Sequence, residues 1–188
     1  MSNHILIEKK INKFDKKIVV SSDKSISIRT ILLASQAVGI SKISNLLESE
    51  DVLNTLKTVK KLGIHYKKLG NTYYIEGFGL NGFNTQRKIT VNAGNSGTLA
   101  RLILGLLVKS KKRVKLIGDK SLSKRDFSRV INPLRKFGAN IKSKKNLLPI
   151  EILGSEFLRP ITYEENIGSA QVKSCMILAA LNTPGVSV

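Results

Sequence analysis

Three stretches of this 188-residue chain can be laid over one another at a spacing of 72 residues, each with a cation at the same point. Ser25-Ile26-Ser27-Ile28-Arg29 aligns with Gly97-Thr98-Leu99-Ala100-Arg101 and with Ser169-Ala170-Gln171-Val172-Lys173. Each stretch opens on small or polar residues and runs into an apolar segment: Ile31–Ala34, Leu102–Leu104 and Met176–Ala180. A period of this length marks duplicated structural units. A helix start with free backbone N–H groups and a cation one turn in suits an anion. Three such starts in one fold point to a ligand with several negative charges.

The pattern between these heads is the same in the first two copies. Ile18–Val20 reads as a strand before the first head, with Asp23 or Ser22 as helix cap. A helix to about Gln36, a strand over Ser41–Asn45 and an amphipathic helix over Asp51–Leu62 follow, then a hairpin turning at Gly70-Asn71. The second copy offers a strand at Lys88–Val91, a helix at Ser96–Val108 and a strand at Arg113–Ile117. It continues with a helix at Phe127–Phe137, where Pro133 would kink it, and a hairpin formed by Asn140–Lys144 and Leu148–Leu153. The expected architecture is α/β, built of repeated β-α-β-α-β-β units. The first helix of each unit is apolar round most of its circumference, so it is expected buried on all sides, with the three helices parallel. A third unit begins at Ile161 and reaches Val188 as a strand should start, so the lobe is expected to be an incomplete part of a longer protein.

Lys and Arg number 32 against 13 acids, a formal net charge of +19. Most of this excess reads as solvated lysine on outer faces, but Asn81–Gly118 carries eight cations and no acid. The single cysteine, Cys175, excludes an intrachain disulfide and sits in an apolar run, as core packing would. His4 and His65 lack neighbouring ligand types, so no metal site is expected. No apolar run approaches the length of a bilayer span, and Met1–Lys17 is no signal peptide; the expected location is the cytoplasm.

Gly77-Phe78-Gly79-Leu80-Asn81-Gly82 matches a dinucleotide fingerprint, but no helix follows it and no acid appears until Asp119. It is expected to be a loop. Gly94-Asn95-Ser96-Gly97-Thr98 at a helix start exposes more backbone than capping needs, as an anion cradle would. It lacks the lysine of a P-loop. Arg29, Arg101 and Lys173, on apolar helices, are costly unless they meet an anion, and Arg101 could equally pair within the protein.

Asp23–Arg29, Gly94–Thr98 with Arg101, Leu122-Ser123-Lys124-Arg125 and Ser169–Ser174 together resemble the 5-enolpyruvylshikimate-3-phosphate synthase family, over essentially the whole chain. The resemblance implies two lobes, each of three units (an inside-out α/β barrel), with residues 21–188 in the N-terminal lobe and residues 1–20 belonging to the other. It implies enolpyruvyl transfer from phosphoenolpyruvate to the 5-hydroxyl of shikimate 3-phosphate. Lys24 would touch both substrates; Ser25, Arg29, Ser169, Ala170 and Gln171 would hold shikimate 3-phosphate. Gly97 and Arg125 would hold phosphoenolpyruvate, with Asn95 and Thr98 shaping that pocket and Gln171 approaching it. Lys24 and Arg125 would act electrostatically, while the acid and base carboxylates would lie in the C-terminal lobe. No cofactor is implied, and the full-length protein would be a monomer. Family members with Ala at the position of Gly97 resist glyphosate, so sensitivity is implied here. The related UDP-N-acetylglucosamine enolpyruvyl transferases usually carry Lys-Asn where Lys24-Ser25 stands and a reactive cysteine where Lys120–Arg125 stands. A basic nucleic-acid-binding domain would explain the charge, but no interleaved basic-aromatic stripe supports it.

Overall fold

A computed structural model describes residues 20–188 together with Leu6, Lys13, Asp15, Lys17 and Ile18. The first unit comprises α1 (Lys24–Gln36), β1 (Val38–Ser44), α2 (Glu50–Lys61), β2 (His65–Leu69) and β3 (Thr72–Phe78). The second comprises β4 (Ile89–Asn92), α3 (Gly97–Leu106), β5 (Val114–Ile117), α4 (Ser128–Phe137), β6 (Asn140–Ser143) and β7 (Ile150–Leu153). A 3₁₀ turn at Leu122–Lys124 precedes α4, and α5 (Ala170–Ala180) opens the third unit. Pro133 leaves α4 continuous.

The second unit forms one sheet in the order β4-β5-β7-β6. Its β4–β5 pair is parallel and the remaining pairs are antiparallel. The parallel pair requires a crossover, and α3 supplies it. The first unit's sheet, β1-β3-β2, repeats the antiparallel part of that order. The counterpart of β4 would fall at the expected strand Ile18–Val20. Ile18 and Val20 carry no strand, and Val19 lies outside the described residues, as does most of the segment 1–20. In the third unit the Val188 N–H donates to the Ile161 carbonyl at 3.0 Å, and the Tyr163 N–H to the Val188 carbonyl at 2.7 Å. That is the hydrogen-bond pattern of a parallel bridge, matching the β4–β5 pair of the second unit.

α3 is the central helix: every residue of it except Arg101 is buried. α1 and α5 depart from the expectation of burial on all sides. Ile26 and Leu33 of α1 are 65 % and 53 % exposed, and Ile177 of α5 is 61 % exposed. Both helices bury one face against neighbours and leave an apolar face open. The glycine-rich Gly77–Gly82 forms the end of β3 and a turn, as expected. A Cβ at Gly77 would lie 2.3 Å from the Ala34 carbonyl oxygen, so this glycine lets β3 approach α1.

α3 and α5 meet closely at Gly105, where a Cβ would lie 2.3 Å from the Cys175 carbonyl oxygen. Burial pushes the Cys175 thiol up to about 12, so the residue packs and does not act as a nucleophile. Gly105→Ala forces two helix backbones apart and is expected to lower unfolding free energy by about 3 kcal/mol. A urea midpoint equal to that of the unmodified chain would contradict this packing.

Candidate active site

The three expected helix heads form, and polar side chains cap each of them. Asp23 Oδ1 accepts the Ile26 N–H at 2.6 Å, Ser96 Oγ accepts the Leu99 N–H at 3.2 Å, and Ser169 Oγ accepts the Val172 N–H at 3.3 Å. The caps stand 73 residues apart, from Asp23 to Ser96 and from Ser96 to Ser169. The cations recur every 72, so each stands one position nearer its cap than the one before. One position rotates a side chain by about 100°. Arg29, Arg101 and Lys173 therefore leave their helices in three directions and are not equivalent.

Arg29 crosses from α1 to the first turns of α5. Its Nε and one terminal nitrogen donate to Ser174 Oγ at 3.3 Å each, the latter also to the Ala170 carbonyl at 3.5 Å. Its other terminal nitrogen donates to the Ser25 carbonyl at 3.2 Å. Arg101 turns inward. It donates to Gln171 Oε1 at 3.1 Å and to the carbonyls of Gly97 and Asp126 at 3.3 Å each. Its guanidinium lies 4.9 Å from the centre of the Phe127 ring, within cation–π range. Burial, then the charges of Arg125 and Arg129, lower its pKa, yet a guanidinium keeps its proton. Lys173 points outward, into a groove it shares with Tyr163 and Glu164, so the third cation does not join the others.

Gln171 is engaged within the protein on both its amide atoms: besides accepting from Arg101, it donates one N–H to Thr98 Oγ1 at 3.0 Å and keeps the other. Thr98, expected to shape a pocket wall, thus positions Gln171. These bonds join the starts of α1, α3 and α5 at one end of the lobe.

The second head is held by a chain of polar groups. Asn95 Nδ2 donates to Asp119 Oδ2 at 2.6 Å, and Arg125 donates to Asn95 Oδ1 at 3.1 Å. Asp119 Oδ1 accepts the Leu122 N–H at 2.7 Å, and the Asp119 N–H reaches the Gly94 carbonyl at 2.8 Å. The Leu122 N–H, with the Asn95 amide, holds the Asp119 carboxyl below its ordinary value of 3.8. Gly97 matters for space: a Cβ there would lie 2.8 Å from one Arg101 nitrogen and 3.1 Å from one of Arg125. Lys24 pairs with Asp51 of α2 at 2.9 Å. A Cβ at Gly94 would lie 2.4 Å from Asn54 Nδ2, so α2 links Lys24 to the Gly94–Thr98 loop. Asp23, Asp51, Asp119 and Asp126 are thus engaged as caps or partners of site residues. Asp51 and Phe127 support the site without being marked by any motif, and Ser174, inside the Ser169–Ser174 stretch, and Asp119 carry no ligand-positioning role in the sequence alone.

The fold and this face define a repeat-built α/β lobe whose helix heads gather backbone N–H groups, hydroxyls and guanidinium groups at one end. The family model for EPSP synthase (3-phosphoshikimate 1-carboxyvinyltransferase) matches residues 8–188. A 3-phosphoshikimate 1-carboxyvinyltransferase from Ruthia magnifica subsp. Calyptogena magnifica is 46 % identical over 180 residues, covering 95 % of this chain and 41 % of its own length. One from Streptococcus pyogenes serotype M2 is 42 % identical over 172 residues, covering 90 % and 40 %. The solved EPSP synthase from Acinetobacter baumannii matches with a TM-score of 0.83 and 36 % identity, over 90 % of this chain and 39 % of that one. The chain belongs to the EPSP synthase family, and spans about two fifths of the length of the curated relatives it matches.

A depressed carboxyl contributes stability that is full above its unfolded pKa and is lost as pH falls through the lower folded value. The loop carrying Arg125 is therefore expected to stay anchored across neutral pH and to loosen only in strong acid. Carboxyl-carbon NMR should find Asp119 titrating below 3.8; a midpoint at or above that value would contradict the anchoring.

Proposed function

We propose that the helix-head face binds shikimate 3-phosphate and phosphoenolpyruvate, and that the chain serves enolpyruvyl transfer between them. In that reaction the 5-oxygen of shikimate 3-phosphate bonds to the enolpyruvyl carbon, that carbon's bond to the phosphate oxygen breaks, and inorganic phosphate leaves. The meeting of the α1 and α5 heads at Arg29 and Ser174 carries this reading, because it sets a guanidinium against the Ala170 carbonyl in the first turn of α5.

Arg29, Ser25, Ser169, Ala170 and Gln171 supply donors to shikimate 3-phosphate. The Ser169 hydroxyl accepts a helix N–H and keeps its own proton to donate. Gly97 and Arg125 face phosphoenolpyruvate, with Asn95 aiming Arg125. Lys24 reaches both, exchanging Asp51 for substrate. Lys24 and Arg125 offset the charge that builds on the departing phosphate. The proton-transfer carboxylates belong to a second lobe, with which this one works as a monomer in the cytoplasm. Binding without turnover is expected of the chain alone; phosphate released when it is mixed with both substrates would contradict this division.

Calorimetry with shikimate 3-phosphate should show saturable binding, weakened by Arg29→Ala by about tenfold or more, the size of a charged hydrogen-bond loss. Lys173→Ala, which alters the outward cation, should leave it unchanged. Equal losses in the two variants would contradict the assignment. In the two-lobe enzyme, Gly97→Ala adds a methyl against two guanidinium groups and is expected to weaken glyphosate inhibition about tenfold or more. An unchanged inhibition constant would contradict the role of Gly97.

A further inference from the structure

At the tail of α3, a helix-length of about 15 Å from its head, lies a cleft of about 680 Å³ that the proposed reaction does not use. Residues 81–86, the turn following α3 and the segment after β7 form its walls. Its size falls within the range of small-molecule sites. The floor is apolar, with Phe83, Leu106 and Leu107 almost wholly buried. Lys109, Lys111 and Lys112 line it, against the single carboxylate of Glu156. None of these lysines forms an ion pair among the described residues. The carbonyl end of α3 adds about half a negative charge, so three ammonium groups leave the cleft positive by about one and a half units.

Two hydroxyls sharpen its chemistry. Thr85 and Ser110 line the cleft and are only 4 % and 5 % exposed. Thr85 Oγ1 accepts the Lys111 N–H at 2.9 Å, and Ser110 Oγ accepts the Gly154 N–H at 3.0 Å. Neither donates its own proton to an acceptor among the described residues. A buried hydroxyl with an unspent donor suits an acceptor supplied by a ligand. The acid-free run Asn81–Gly118 noted in the sequence supplies these lysines, so its bias serves the rear of the lobe as well as the second helix head.

We infer that this cleft binds a small organic phosphomonoester: an apolar body on the Phe83–Leu106 floor, and a dianionic phosphate held by the lysines and the Thr85 and Ser110 hydroxyls. The site is separate from the helix-head face and independent of the reaction proposed for it.

The test uses 1-naphthyl phosphate as probe, titrated into isotope-labelled chain and followed by backbone amide NMR. The expected result is saturable shifts at the amides of Lys111 and Gly154, with a midpoint below about 1 mM. Lys109→Ala/Lys111→Ala/Lys112→Ala should weaken that response about tenfold or more. The ligand-free amide positions of Gly97 and Gln171 should match those of the unmodified chain, showing an intact fold. Inorganic phosphate, lacking the apolar body, should shift the cleft amides only at several-fold higher concentration. Absent cleft shifts, or cleft shifts that the triple variant retains, overturn the site. Equal response to inorganic phosphate overturns the apolar floor's part in it.

Discussion

The Arg101 guanidinium is the constraint on which the helix-head face depends. It is drawn partly out of water on an otherwise buried helix, and burial alone would make it costly. Three carbonyl-type oxygens and one aromatic face compensate, and none of them is ionised. Its charge is therefore satisfied but not cancelled, and remains as positive potential behind the face. The same contacts tie together three pieces of chain: the start of α3, the start of α5 through Gln171, and the segment leading from Arg125 into α4. A lysine could not replace it, since one ammonium lacks the fork that reaches all three.

Around that clamp, the side chains proposed to meet a ligand are aimed by others that are not. Ser174 aims Arg29, Asn95 and Asp119 aim Arg125, and Asp51 holds Lys24. Such support limits the freedom that long cationic side chains would lose on binding. It also gives the acids near the site structural employment.

Much of this plan was legible in the sequence. The β2–β3 hairpin, the amphipathic α2 and α4, and a cap at Asp23 or Ser22 follow from turn chemistry and periodicity. The repeat itself was legible, but its register was not. Matching the cations selects 72, whereas the structure repeats by its caps at 73, because backbone geometry is conserved by the fold and a charge is free to step round a helix. That one-residue difference separates the outward Lys173 from the inward Arg101. The open faces of α1 and α5 were hidden for a related reason. A helix apolar all round shows no periodicity, so Ile26, Leu33 and Ile177 carry no sign of which face a neighbour covers. Ser174 and Asp51 are ordinary helix residues, and only the juxtaposition of α5 with α1 and of α2 with Lys24 gives them roles.

On the proposed reading Arg101 organises the face without touching ligand, while Arg29 meets it. A crystal structure of the chain with shikimate 3-phosphate bound would separate these two roles. The ligand is expected at Arg29, Ser169 and Ala170, with Arg101 still bonded to Gln171, Gly97 and Asp126. A ligand contacted by a displaced Arg101, or seated away from the α1 and α5 heads, would contradict it.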